Sequence, residues 1–143
     1  MLGVRHYKDI AFDLWLGELK DFFSDKLCII QSNEKELSKE LEEVTSLTKV
    51  FYAKSSHTIN SSLQEDTLVL LKECKKDNIR HLSIYIKIEN TKEYIQNILH
   101  TLKEQIDKDL YPKNIKRISF IADDKEYYNI QEDFLLNFFQ DTP

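Results

Sequence analysis

Glu89, Asp123 and Asp124 are carboxylates that fall just past two strand-like segments, and His57 sits in a polar loop with Ser55 and Ser56. Two sources of carboxylate beside a histidine can hold a divalent cation and activate water on a phosphodiester, with a serine hydroxyl on the phosphate. Acids and serines also populate loops and helix caps for conformational reasons alone. The pattern therefore admits a small metal-dependent phosphodiesterase or nuclease, with Glu89, Asp123 and His57 as weak catalytic candidates, and carries nothing specific to it. A thiol nucleophile is disfavoured. Cys28 lies in an apolar run, and Cys74, though next to Lys75 and Lys76 and so open to some thiolate character, has no partnered histidine.

Other chemistries are excluded more firmly. The chain has two glycines, Gly3 and Gly17. Loops that bring backbone close to phosphate are built with glycine, so neither a P-loop nor a dinucleotide fingerprint can be written after residue 17. No pair of histidines or cysteines has zinc spacing. No cofactor and no structural metal is expected.

The elements that would position these residues are clearest over residues 81–123. Leu82, Ile84, Ile86 and Ile88 alternate with His81, Ser83, Tyr85 and Lys87, the period of a strand with one dry face. From Tyr94 the apolar residues Ile95, Ile98, Leu99, Leu102, Ile106 and Leu110 follow at threes and fours, an amphipathic helix. Asn90 and Glu93 suit a capping box at its start, and Pro112 a stop. Ile118, Phe120 and Ala122 then alternate with Arg117, Ser119 and Ile121 as a second strand. Two strands joined through a helix are expected to lie parallel.

Elsewhere Ile10, Leu14, Trp15, Leu19, Phe22 and Phe23 suggest a helix over 8–24, and Leu27 to Gln31 a buried strand. Residues 33–47 suit a helix, 48–54 a strand, 62–77 a helix ended by Asp77-Asn78, and Ile130 to Phe138 a last short helix. The expected fold is a single α/β domain, residues 1–143: an N-terminal helix, then four β-α units with a mostly parallel four-stranded sheet and helices on one or both faces. The polar residues on the second face of the two clear strands predict that this face is only partly covered. A ferredoxin-like α+β two-layer sandwich is the alternative.

At 143 residues, 41% hydrophobic and 31% charged, the composition is that of one globular domain, and no apolar run approaches the roughly 20 residues of a bilayer span. The start of the chain lacks a signal-peptide pattern and the cysteines read as buried thiols, so a cytoplasmic location is expected. Parallel strands would gather Lys75, Lys76, Arg80, His81, Lys113, Lys116 and Arg117 at one rim of the sheet. Glu89, Asp123, Asp124 and Glu126 would gather at the other. Solvated loop ends are the plain reading of both rims.

Two functional readings follow. The first is a non-catalytic intracellular protein-interaction module, the inhibitor or immunity protein of a toxin, that meets a basic protein partner through Glu89, Asp123, Asp124 and Glu126. The second is the metal-dependent nuclease. A homodimer through Trp15, Phe138 and Phe139 is a further possibility. Nucleic acid is disfavoured by the net charge of −5 and the lack of basic and aromatic interleaving.

Overall fold

The computed structural model of the protein describes residues 2–22, 24–31, 49–52 and 59–140. The helix expected over 33–47 and the loop carrying Ser55, Ser56 and His57 lie outside these residues.

The first difference from expectation comes at once. Residues 8–24 are not a helix: strand β1 (Leu2–Tyr7) turns into β2 (Ile10–Leu16) as an antiparallel hairpin, followed by a single 3-10 turn at Leu19–Asp21. The hairpin reverses through Lys8, at φ 54°, a left-handed position filled without glycine. Ile10, Phe12 and Leu14 then share one buried face at the strand period, and Trp15 points to the other, where its ring meets Phe22 at 5.6 Å between centroids. Gly17 makes that meeting possible, since a Cβ there would stand 2.9 Å from the Phe22 ring.

The remaining elements occur in the expected order: β3 (Lys26–Gln31), β4 (Lys49–Tyr52), α1 (Ile59–Lys76), β5 (His81–Lys87), α2 (Thr91–Asp107), β6 (Arg117–Ala122) and α3 (Lys125–Gln140). Among the described residues the sheet has six strands, in the order β1-β2-β6-β5-β3-β4. Every pair is parallel except β1 with β2, so the sheet is mixed rather than a four-stranded parallel one. The expected neighbours β5 and β6 do lie side by side and parallel, with His81 opposite Arg117 and Tyr85 opposite Ile121.

The three described helices cover one face. Phe12, Leu14, Ile84, Ile86, Phe120 and Cys28 from the sheet meet Leu70, Cys74, Ile95, Leu102 and Leu135 from the helices in one continuous core. Burying each of the larger side chains contributes about 1.5–3 kcal/mol. Phe138 closes this core against Tyr7 and Phe12, with ring centroids at 5.1 and 5.6 Å, and is therefore not free to join a second copy. The second face is better covered than its sequence suggests. Tyr85 and Ile121 are buried there with Leu19, Leu27 and Ile29, and Ser83 and Ser119 are buried between strands.

Helices α1 and α2 stop in the same way. Asn78 (φ 55°) and Asp109 (φ 60°) take the left-handed position, and the amides of Ile79 and Leu110 reach back to the carbonyls of Cys74 and Gln105. This Schellman turn ends α2 at Asp107, five residues before the proline expected to stop it. At its start, Asn90 occupies the cap position but its side chain makes no capping hydrogen bond, so the expected box is not formed.

Candidate functional site

In open α/β sheets, ligands settle in the crevice beyond the carboxyl ends of the strands. Here β5 and β6 end together at that rim. Continued two residues past Tyr85 and Ile121, their register brings Lys87 to Asp123. Tyr85 Oη donates to Asp123 Oδ2 at 2.8 Å and Lys87 Nζ lies 2.9 Å from the same oxygen. The other carboxylate oxygen, Oδ1, is buried with no hydrogen-bond partner.

Two further buried polar atoms lack partners at this end of the sheet. Thr91, the first residue of α2, is fully buried with Oγ1 unpaired. Gln131 of α3 donates through Nε2 to the Ile86 carbonyl at 3.4 Å and leaves Oε1 unpaired. A buried polar atom without a protein partner costs about 1–3 kcal/mol unless water or ligand atoms meet it.

The other acids divide by role. Asp124 caps α3, its Oδ1 accepting from the amides of Glu126 and Tyr127 at 2.8 and 3.3 Å. Glu89 and Glu126 are exposed. The Tyr127 phenol is held above its ordinary proton affinity first by burial and then by the charges of Asp124, Glu89 and Glu126. Asp123 turns instead toward Tyr85 and Lys87. Lys87 and Tyr85 were missed as site residues. The signal was present: they share a face at i and i+2, and the parallel register brings them to Asp123.

Among the described residues no three of His, Cys, Asp and Glu are placed to hold a metal ion, and Asp123 already has a lysine as its counter-charge. The two cysteines lie where the sequence reading puts them, as buried thiols. Both are free, burial raises both thiols, and Cys74 is pushed up to about 12 despite Lys26 nearby.

At the opposite rim, polar groups are paired into the frame. Arg117 binds the carboxylate of Asp13, which is fully buried in β2. Asp25 accepts from the amides of Arg80 and His81. Lys26, buried in β3, lies 3.5 Å from both Glu73 of α1 and Asp77 in the turn just after it. His81 shares a 2.8 Å hydrogen bond with Ser119. Its proton affinity is lowered, first by burial and then by the Arg117 charge. The folded chain therefore favours neutral His81, and the stability this confers is complete above the unfolded value of about 6.5 and declines as pH falls below it. Urea unfolding compared at about pH 7.5 and about pH 5.5 should show a loss that His81→Gln reduces. An equal loss in the variant would remove His81 as its source.

The sequence matches no family model and no curated protein. In three dimensions, however, the chain is similar to solved macrodomains. One, from Trypanosoma brucei and crystallised in complex with ADP, superposes with a TM-score of 0.64 at 10% identity, over 90% of this chain and 69% of that one. Another, a mutant of an Oceanobacillus iheyensis macrodomain, gives 0.65 at 11% identity over 98% of each. At such identities the likeness defines the fold: this is a mixed α/β domain with the macrodomain architecture. The toxin-inhibitor and immunity-protein reading and the nuclease reading are thereby corrected: the solved structures this chain resembles are macrodomains, one of them in complex with ADP. No helix among the described residues is long and apolar enough to cross a membrane.

Proposed function

We propose that the domain binds a nucleotide of the adenosine diphosphate class, as ADP or within ADP-ribose, at the carboxyl ends of β3, β5 and β6. The observation that carries this reading is the likeness to a macrodomain in complex with ADP. The position follows from the general rule for open α/β sheets.

Local chemistry supports it. The N-terminus of α2, a 17-residue helix, presents amide groups and the positive end of the helix dipole beside Lys87. These suit a diphosphate. The unpaired oxygens of Asp123, Thr91 and Gln131 suit hydroxyl and amine donors of a sugar or base. With no glycine in this part of the chain, phosphate contacts fall to side chains and the helix end rather than to a glycine loop.

Calorimetric titration with ADP and with ADP-ribose should give saturable binding. Lys87→Ala removes one charge-assisted contact, worth about 1.5–3 kcal/mol, and should weaken binding about tenfold or more. No heat and no rise in melting temperature at millimolar ADP or ADP-ribose would end this proposal.

A further inference from the structure

At the rim remote from the proposed nucleotide site, α1 and the loop between α2 and β6 enclose a groove of about 690 Å³. One wall is a single helical face, with Leu68, Leu71, Lys72 and Lys75 at the i, i+3, i+4, i+7 spacing. The other is the segment from Asp109 to Asn114. Asn114 fixes the two walls together, its Nδ2 donating to the carbonyls of Cys74 and Ile79 at 3.2 and 2.5 Å.

Two features make this groove unlike ordinary surface. In a Schellman turn the residue after the left-handed position usually packs back on the helix, three residues before its cap. Here the residue waiting there is polar Gln105, and Leu110 is left 64% exposed at the groove wall, the most exposed large apolar side chain described. Charge is inverted as well. The chain is acidic overall, yet three lysines border the groove against one carboxylate. Lys113 is committed to Asp109 and to the face of Tyr111, 4.1 Å from the ring centroid. Lys72 and Lys75 have no ion-pair partner among the described residues.

We infer that this groove docks an acidic amphipathic segment of a partner protein, with leucine or phenylalanine side chains against Leu68, Leu71 and Leu110 and carboxylates toward Lys72 and Lys75. The helical wall from residue 68 to 75 is about 10 Å long, room for roughly two turns of a helix laid in the groove. Basic rims alone attract any polyanion; the apolar wall between them selects a peptide.

The test is fluorescence polarisation with a labelled amphipathic peptide of Glu, Asp, Leu and Phe, its twin with lysine at every acidic position, and a single-stranded oligonucleotide. Binding of the acidic peptide alone is expected, weakened about tenfold or more by Leu110→Asp and by the pair Lys72→Glu, Lys75→Glu. These side chains are exposed or partly so, and unchanged melting temperatures check that the variants fold. ADP titration of the double variant should match wild type, since the nucleotide rim is elsewhere. The inference is overturned by no binding of the acidic peptide at millimolar concentration, by equal binding of its twin, or by indifference to Leu110→Asp. Preference for the oligonucleotide would also overturn it.

Discussion

Arg117→Ala should destabilise the fold by about 3 kcal/mol or more, although the arginine is 41% exposed and its removal opens no core cavity. The cost arises on the other partner. Asp13 is fully buried in β2, one of its oxygens is unpaired even in the intact protein, and the guanidinium is the hydrogen-bond donor to the other. Truncating the arginine strands a carboxylate between β1 and β6. Removing both groups, as Asp13→Leu with Arg117→Leu, should recover all but about 1 kcal/mol, because a buried ion pair and a packed apolar pair are close in free energy. Urea denaturation reads both values. A loss below about 0.5 kcal/mol in Arg117→Ala would show that Asp13 finds another donor.

Tyr85→Ala should cost about 4 kcal/mol. Tyr85 is the largest fully buried side chain among the described residues, it fills the core on the sheet face opposite the three described helices, and its hydroxyl holds Asp123. Tyr85→Phe separates these contributions. It keeps the ring and deletes a hydrogen bond to a carboxylate that retains Lys87, so about 1–2 kcal/mol is expected. Equal losses in the two variants would mean that the hydroxyl, and not the ring, holds that face together.

These residues mark where the sequence was readable. Strands β5 and β6 alternate cleanly because one face of each meets the helices, and their parallel pairing follows from the helix between them. The acidic and basic rims follow from that pairing. The N-terminal hairpin was not readable. Ile10, Leu14, Trp15, Leu19 and Phe22 fit a helical stripe only if Phe12 is passed over, and the turn at Lys8 lacks the glycine or asparagine that usually announces a hairpin. The placement of β2 beside β6 leaves no local trace at all, since it depends on contacts such as Asp13 to Arg117, 104 residues apart. For the site, the acids at the rim were found from strand ends. What they do depends on cross-strand partners: Asp123 meets Lys87, and Asp124 serves a helix. The groove was invisible because Leu110 continues the α2 stripe in sequence and leaves it only through the left-handed Asp109.

The hairpin of β1 and β2 carries a consequence for how the molecule is made. Phe12 and Leu14 are covered only when β6 lies alongside and Phe138 lies over Tyr7, so the first ribbon of this domain to be made must wait for its last elements. Throughout that interval a greasy two-stranded flap stands uncovered in the crowded space around the exit tunnel. Holding chaperones and slow vectorial closure, rather than spontaneous collapse of each piece as it appears, are the natural companions of a topology that sews its beginning to its end.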